Sequence, residues 1–534
     1  NFREGVQNTA ADYYFENVAD CFTDADDHCA TGHDRRAYRD TIARDRAAGA
    51  RTLIELPMAG QVARGPSANY SHPLDCSFPS SVFPLQQAFD PYDTHCGNGR
   101  ALTGRAILGD EATAARTSIP WGPADDGAWI DDLKSRYGDA AHGGVGLYEL
   151  GNEPSLWDTT HRDIHPSPTT YDELWQRSRD LAEVVKRRDP GAKVLGLSEW
   201  GWPNYFCSAA DDTSDGCQAT DADRAAHGGV PLAEWFLQQA RDYERAHGTR
   251  LVDYLDLHYY RQGGRTTDVT RSLWDATYTD ESFIRDKVEL IPRMRRWVHD
   301  DYPGTKLSLS EYDLSTGDRE TDVLIQADAL GIFGREGLDL AARWDPPKAT
   351  EAAADAFRAF RDYDGAGGRF GDVGVSSVSG DQSRLAVYGA ERTSDRTLTL
   401  VVVNKTQRAL TGTLALGGVS ARARTAGAWR WTSADGALVQ GAALPLGANG
   451  IDTTWAPRSI NVVAVPLTRC LVPRLTGLTL ARARRLLSHA GCRTGSVRRV
   501  RSRRARGRVA AQSPAAGVSR KPGSRVALRI SRGR

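Results

Sequence analysis

The sequence lacks the features of several protein classes. It contains no run of about 18 apolar residues, so it is not expected to span a membrane. No basic and then apolar leader precedes Asn1, so any signal peptide is expected to have been removed or to lie outside the sequence. The cysteines form no Cys-X-X-Cys pair, which argues against metal-binding thiols.

Acidic residues are missing from one part of the chain. Of the 68 Lys and Arg residues, 19 lie in residues 469–534, and this segment has no Asp or Glu. Residues 1–468 therefore hold the other 49 basic residues and all 68 acidic ones. The two parts carry formal charges of −19 and +19, and this asymmetry predicts separate modules with separate partners.

The eight cysteines fall as near neighbours along the chain. An even number at loop-closing separations is typical of local disulfides in a secreted protein, and the alternative is a cytosolic protein with free or metal-binding thiols. The predicted disulfides are Cys21–Cys29, Cys76–Cys96, Cys207–Cys217 and Cys470–Cys492.

The composition, 40% hydrophobic and 25% charged over 534 residues, predicts a soluble globular protein of several domains. Strand-like and helix-like segments alternate through residues 51–344. Such alternation is typical of parallel βα units that close into a TIM-like (β/α)₈ barrel. The predicted strands begin near Arg51, Gly146, Lys193, Leu251, Lys306 and Leu338.

The number of predicted strands is too small for a closed barrel. Eight strands close a barrel of this type, and residues 1–50 offer no further candidate. An open sheet would leave two apolar edges unpaired, which natural proteins avoid. We therefore expect the sequence to begin after the first two barrel strands.

Two smaller domains are predicted after the barrel, which we assign to residues 1–350. Residues 351–468 contain short, alternating, β-rich segments separated by turns, which is typical of a β-sandwich. Residues 469–534 have the pattern strand, helix, strand, strand, which predicts a small basic α+β domain.

Two glutamates at predicted strand ends suggest catalysis. Glu153 follows the strand GLYEL within Asn-Glu-Pro, and Glu311 ends KLSLSEY. Active sites of such barrels lie at the carboxyl ends of the strands, and a protonated and an ionised carboxyl group together can cleave a glycosidic bond. The alternative is that both are buried structural acids. Glu199, in SEWGW, is a weaker candidate because no amide residue stands beside it.

Longer segments resemble a known family. ELGNEPSLWDTTHRDIHPSPTTYDEL, DYLDLHYYRQ and KLSLSEYD are similar to glycoside hydrolase family 44, the endo-β-1,4-glucanases and xyloglucanases. The resemblance implies a TIM-like barrel with a β-sandwich and hydrolysis with retention. It also implies that Glu153 is the general acid/base and Glu311 the nucleophile, on the fourth and seventh barrel strands. Gly151 departs from the family, whose members commonly carry Asp there.

Other residues near these strand ends are candidates for binding substrate. Asn152 is predicted to hydrogen-bond the sugar 2-hydroxyl. His258 and Tyr260 are expected to touch Glu311 or the sugar, although His258 could instead be a core histidine. Aromatic residues that could stack on sugars, or simply pack, are Trp157, Trp200, Trp202, Tyr259 and Trp344.

No metal or cofactor is expected. His161 and His165 are spaced as helical metal ligands, but the glutamate of a zinc protease motif is missing and Pro166 follows. Asp24–Asp27 could hold calcium, but the glycine and distal glutamate of an EF-hand loop are missing. Both are interpreted as loop structure.

The carboxyl-terminal segment resembles a PASTA domain. CLVPRLTGLTLARARRLLSHAGC and GRVAAQSPAAGVSRKPGSRVALRIS carry the resemblance, which implies a tether to a bacterial cell wall. The charge could also attract nucleic acid. We favour an anionic surface as the partner, because a secreted protein with disulfides rarely meets DNA.

The sequence thus predicts a secreted endo-acting hydrolase of β-1,4-glucan, such as cellulose-like chains or xyloglucan, that uses a retaining mechanism. The alternative is a carbohydrate- or wall-binding protein whose incomplete barrel does not catalyse.

Overall fold

The computed structural model describes residues 14–16, 37–63, 75–211, 216–261, 263–264, 266–344, 347–417, 420–421, 423–468, 470–521 and 523–533. They form two compact units. One comprises Asn1–Gly264, Arg271–Leu314 and Glu336–Ala349, and the other comprises Arg265–Thr270, Ser315–Arg335 and Thr350–Arg534. The predicted domain boundaries stay predictions. The Cys21–Cys29 disulfide and the Asp24–Asp27 cluster lie outside the described residues.

A parallel sheet organises the first unit. In the described part of the chain it has six strands, which follow one another across the sheet in chain order and form a curled half-barrel. Most of their residues are buried or half-buried, as in parallel sheets packed on both faces. Each strand falls within a segment predicted as one: β1 Leu53–Leu56, β2 Leu147–Leu150, β3 Lys193–Glu199, β4 Tyr254–Tyr260, β5 Lys306–Asp313 and β6 Leu340–Arg343.

Amphipathic helices connect these strands. In α4 the apolar residues Leu174, Leu181 and Val185 are buried on one face, and the Thr170 side chain caps the first turn by accepting from the Glu173 amide. No helix in the described ranges is both long and apolar enough to cross a bilayer. The helices are α1 Ala37–Ala48, α2 Glu111–Thr117, α3 Pro123–Tyr137, α4 Tyr171–Arg188, α5 Leu232–His247 and α6 Leu290–Asp301.

Two disulfides brace the loops of this unit, and both pairs were predicted. Cys76 is joined to Cys96, and Cys207 is joined to Cys217. The first disulfide lies in the long segment between β1 and α3, where Gln61–Ala63 also pairs with Ser118–Pro120 in an antiparallel ladder. A disulfide and a short ladder thus hold the described part of this segment.

The second unit contains an antiparallel sheet whose strands lie in the order Thr425–Trp431, Ser459–Thr468, Thr397–Asn404, Leu385–Arg392 and Val373–Val375. Two further strands, Leu410–Leu414 and Ile451–Trp455, form a separate pair. Ile451 and Trp455 of that pair share one core with Leu400 and Val463 of the sheet, which is the packing of a sandwich. The elements are α7 Arg319–Glu336, α8 Ala353–Arg361, β7 Val373–Val375, β8 Leu385–Arg392, β9 Thr397–Asn404, β10 Leu410–Leu414, β11 Thr425–Trp431, β12 Ile451–Trp455 and β13 Ser459–Thr468.

The carboxyl-terminal residues form the predicted small α+β fold. Three strands pair in the order Arg493–Val500, Arg525–Ser531 and Val509–Ser513, and the first two are parallel. Cys470 is joined to Cys492. Val526 and Leu528 of the central strand pack in one core with Ala483 of the helix. The elements are α9 Leu480–His489, β14 Arg493–Val500, β15 Val509–Ser513 and β16 Arg525–Ser531.

Candidate active site

A sharp turn after β2 presents Glu153. Gly151 has φ +66° and donates its amide hydrogen to the Leu56 carbonyl at 3.0 Å. Glu153 itself has φ 45°, a left-handed conformation that glutamate rarely adopts. Trp157 follows the turn in the sequence, and its indole donates to the Asn152 carbonyl at 2.8 Å, which stabilises the turn. The turn therefore directs the carboxyl group away from the path of the strand.

Glycine at position 151 fits this turn closely. A Cβ there would lie 2.9 Å from the Cβ of Met58, and its positive φ would strain any side chain. The departure from the family pattern at Gly151 therefore agrees with the local backbone.

An irregularity in β3 supports the same turn. Ser198 has φ 60°, and its carbonyl accepts the Glu153 amide hydrogen at 2.9 Å. The register between β3 and β4 shifts between Leu197 and Glu199. Glu199 is fully buried, and one of its oxygens accepts from the Ser155 hydroxyl at 2.8 Å. Burial, reinforced by the charge of Glu153, raises the pKa of Glu199 to about 8, so this residue is a neutral support of the turn.

A second register shift aligns His258 with Glu311. Asp256 of β4 pairs with Ser308 of β5, and two residues later His258 pairs with Glu311 instead of Ser310. Side chains alternate between the two faces of a strand, so one extra residue in β5 changes which side chain lies beside His258. The shift therefore brings the Glu311 carboxyl group to the histidine.

His258 lies among three carboxyl groups. Its Nδ1 is 2.8 Å from Glu153 Oε1 and 3.5 Å from Glu311 Oε2, and its Nε2 is 3.4 Å from Glu149 Oε1. Complete burial alone would lower the pKa of His258, but its hydrogen bonds to Glu149 and Glu153 and the charge of Glu311 raise it well above the ordinary value. The ring is therefore a buried imidazolium.

The two predicted catalytic glutamates lie side by side. A carboxylate oxygen of Glu153, one of Glu311 and a ring nitrogen of His258 all lie within 4.8 Å of one another. The side chains of Glu153 and Glu311 are 21% and 18% exposed, so each can meet a ligand from the open side. The pair that the sequence placed about 160 residues apart thus forms one site.

Tyr260 affects the protonation state of Glu311. Its hydroxyl donates to Glu311 Oε2. Burial raises the pKa of Glu311 to about 7, against the lowering effects of His258 and of the Tyr260 hydrogen bond, and with help from the charges of Glu153 and Glu149. Glu311 therefore changes its protonation state near neutral pH.

A deeper polar network, missed by the sequence interpretation, underlies this pair. The Ser310 hydroxyl donates to Glu149 Oε1 at 2.8 Å and also bonds Asp256. Burial and the nearby Glu149 charge raise the pKa of Asp256 to about 7. One signal could have revealed the network, because Glu149 is an acidic residue inside a short apolar strand, where an unpaired charge would be costly.

The predicted aromatic residues differ in their surroundings. Trp157 is only 3% exposed, and its indole supports the Asn152 carbonyl. Trp200 is half-buried and donates to Asn204 Oδ1 at 2.6 Å. Trp202 packs against Phe206, with a ring distance of 4.9 Å. Trp344, which directly follows β6, is 44% exposed.

Tyr259 is buried, whereas Asn152 beside Glu153 is half-buried. Of these two candidates, Asn152 has a surface that a ligand can reach.

His165, one of the two histidines considered as metal ligands, serves other contacts. His165 Nε2 lies 2.9 Å from Glu173 Oε1, and its ring packs against Trp157. In the catalytic cluster, the two ring nitrogens of His258 face the carboxyl groups of Glu153 and Glu149. The arrangement at His258 therefore suits the movement of protons between carboxyl groups.

Comparison with known proteins gives independent evidence of what the chain resembles. Residues 6–263 match the model of glycoside hydrolase family 44, and residues 471–532 match the PASTA domain. The chain is 32% identical to beta-mannanase/endoglucanase A of Caldicellulosiruptor saccharolyticus and 31% identical to endoglucanase A of Paenibacillus lautus, each over 52% of this chain. These matches span only 23% and 42% of the two relatives.

A solved structure is similar over a larger share. The crystal structure of CelM2, a bifunctional glucanase-xylanase from a metagenome library, is 33% identical, with a TM-score of 0.80. The match covers 88% of this chain and 90% of that one.

Proposed function

The chain belongs to glycoside hydrolase family 44, and from this premise we propose that it cleaves internal β-1,4 bonds of glucan chains, such as cellulose-like chains and xyloglucan, with retention of configuration. One observation carries the proposal, namely that carboxylate oxygens of Glu153 and Glu311 lie within 4.8 Å of each other. Retaining glycosidases hold their two carboxyl groups about 5–5.5 Å apart, whereas inverting ones leave a wider gap for water.

In the first step of this mechanism, Glu311 attacks the anomeric carbon and forms a glycosyl ester. Glu153 donates its proton to the glycosidic oxygen, so the bond to the leaving sugar breaks and a hydroxyl group departs. In the second step Glu153 takes a proton from water, which attacks the same carbon and releases Glu311. The first step requires an ionised Glu311 and a protonated Glu153, and the second step regenerates both states.

His258 and Tyr260 position the two acids. The imidazolium holds one oxygen of Glu153 at 2.8 Å, and Tyr260 holds one oxygen of Glu311. These hydrogen bonds fix the directions in which the carboxyl groups meet the sugar. Asn152, beside Glu153 and half-buried, is the proposed donor to the 2-hydroxyl, and exposed Trp344 is the proposed sugar platform.

The proposal also covers location. Disulfides form and persist mainly in oxidising compartments, and the three within the described residues support secretion. The basic carboxyl-terminal domain would then attach the protein to an anionic surface, such as a bacterial cell wall.

Reducing-sugar release tests the catalytic assignment. The chain is compared with Glu153→Gln and Glu311→Gln on carboxymethylcellulose, xyloglucan, mannan and xylan, with melting curves to confirm folding. We expect turnover on the two glucans, and a loss of several orders of magnitude in both variants. An inactive but folded wild type would favour a carbohydrate-binding protein, and an active variant would remove that glutamate from the mechanism.

The stereochemical assignment has its own test. Proton NMR of the first product formed from a soluble β-glucan oligosaccharide should show the β-anomer. Initial α-anomer would contradict retention even if hydrolysis is confirmed.

A further inference from the structure

The carboxyl-terminal sheet has a face lined by arginine. Val526, Leu528 and Ile530 of β16 point into the core, whereas Arg525 and Arg529 are exposed on the opposite face. This alternation follows from the two-residue period of a strand. The outer face of the sheet therefore carries the arginines of its central strand.

The register between β14 and β16 adds two more arginines to this face. Arg493 pairs with Arg525, and Arg498 pairs with Arg529. All four are exposed. Residues in register on neighbouring parallel strands stand on the same face, about 4.8 Å apart. The face thus presents two side-by-side pairs of like charges, and such pairs destabilise a sheet unless something neutralises them.

No carboxylate side chain of the domain can neutralise these pairs. Residues 469–534 contain no Asp or Glu, and 18 of their 19 basic residues are arginine. Guanidinium groups form forked hydrogen bonds to phosphate and carboxylate that lysine cannot reproduce. The composition and the register together indicate a face made for an anionic ligand.

The geometry points to the kind of anion. A planar carboxylate is satisfied by one guanidinium fork, whereas a tetrahedral phosphate can accept from two guanidiniums side by side. The two pairs are separated by four residues of β16, or about 13 Å along the strand. A single small anion would fill only one pair, so the ligand is a polymer with repeated phosphates.

We propose that the face formed by Arg493, Arg498, Arg525 and Arg529 binds a phosphodiester polymer of the glycerol phosphate type. The inference deepens the proposed surface attachment and does not depend on hydrolysis. Nucleic acid shares the phosphodiester chemistry, but the disulfide Cys470–Cys492 within this domain favours an extracellular polymer.

Two variants with the same loss of charge test the face. The first is Arg493→Gln/Arg498→Gln/Arg525→Gln/Arg529→Gln. The control is Arg474→Gln/Arg482→Gln/Arg484→Gln/Arg485→Gln, which changes four exposed arginines on or near α9. Circular dichroism and melting curves of the full chain confirm that each variant folds.

Binding of the full chain to soluble poly(glycerol phosphate) is measured at several salt concentrations. Each neutralised phosphate contributes about 0.7 to the slope of log K against log salt, so we expect the face variant to lose about 1.4 or more for two lost phosphates. The control should keep nearly the wild-type slope and bind at least about tenfold more tightly than the face variant at low salt.

Equal losses in the two variants would overturn the proposal in favour of net charge alone. Equal binding of polygalacturonate would overturn the preference for phosphate, and tighter binding of single-stranded DNA would assign the face to nucleic acid. Release of reducing sugar from carboxymethylcellulose should be the same in all three proteins. A chain that binds the polymer without hydrolysing glucan would therefore refute the proposed hydrolysis and leave this inference standing.

Discussion

Charges of one sign lie close together both at the mouth of the parallel sheet and on the outer face of the carboxyl-terminal sheet. The first group is largely buried, whereas the second is exposed to water. At the mouth, Glu149, Glu153 and Glu311 surround the fully buried His258. On the outer face, four arginines are exposed to water. In the buried cluster the like charges are relieved by protons and by one imidazolium, whereas on the exposed face water and ions relieve them.

This difference separates two uses of charge. Buried carboxyl groups have altered proton affinities, so they suit chemistry. Exposed guanidiniums remain fully charged and interact weakly with their neighbours, so they suit association. Substitutions can test the buried cluster and the exposed face separately, and the effects should be much larger in the buried cluster.

Replacing His258 should have the largest effect. His258→Gln removes the only cation that contacts Glu149, Glu153 and Glu311 in the described structure. Breaking a buried ion pair costs about 3–5 kcal/mol of unfolding free energy, and we expect kcat/KM on carboxymethylcellulose to fall by about 10²-fold or more. Melting curves and initial rates measure both effects.

His299→Gln is the matched control, because the His299 side chain is 84% exposed. A His258→Gln protein with native melting and rates would show that the cluster needs no cation.

The next effect concerns pH. Glu311 must be ionised to attack, and its pKa of about 7 means that kcat/KM should fall as pH drops through this value. The Tyr260 hydrogen bond lowers this pKa, so Tyr260→Phe should move the acid limb of the profile to higher pH. Profiles of kcat/KM from pH 5 to pH 9 provide the measurement. An acid limb that stays in place, or moves to lower pH, would contradict the role given to Tyr260.

A smaller effect is expected in stability at alkaline pH. Glu199 has a pKa of about 8 in the folded protein, against an ordinary value of 4.5, so the folded state binds the extra proton between these values. Unfolding free energy is then lost as pH rises, by at most about 1.4 kcal/mol per pH unit.

Glu199→Gln keeps a neutral side chain that can accept from Ser155, so this loss should disappear. The variant should melt like the wild type at pH 5 and at a higher temperature at pH 9. A melting temperature below that of the wild type at pH 9 would mean that the fold stabilises ionised Glu199 and that its pKa is not raised.

The smallest effect should come from the exposed face. Arg493→Gln removes one member of the Arg493–Arg525 pair and should raise the unfolding free energy of the domain by about 0.2–1 kcal/mol at low salt. The gain should fade at high salt, because exposed charges are screened. Arg482→Gln on α9 serves as control. Equal gains in the two variants would show that the register pair has no special cost.

Much of the fold could be predicted from periodicity. All six barrel strands lie within predicted segments, and the predicted helix-like segments between them are helical, as in α4 and α5. These segments are long or strongly patterned, so burial of one face determines their structure. The carboxyl-terminal helix and strands followed from the same reasoning.

The candidate site was predicted only in part. Glu153 and Glu311 could be found because strand ends of parallel sheets meet at one edge. The acidic Glu149 within an apolar strand signals the network, but its partners Ser310 and Asp256 could not be predicted, because the pairing depends on a register shift that leaves no mark on hydrophobic alternation. The burial of Trp157 depends on its contact with Asn152, which spacing alone does not reveal.

The left-handed backbone of Glu153 has a consequence for how such a protein can evolve. A glutamate in this conformation costs roughly 1–2 kcal/mol, and asparagine or glycine would occupy the position more comfortably. Selection for stability alone would therefore remove this side chain, and only selection for the reaction retains it. Relatives that lose catalysis should therefore replace Glu153 early. They should become more stable proteins that still bind the same polysaccharide.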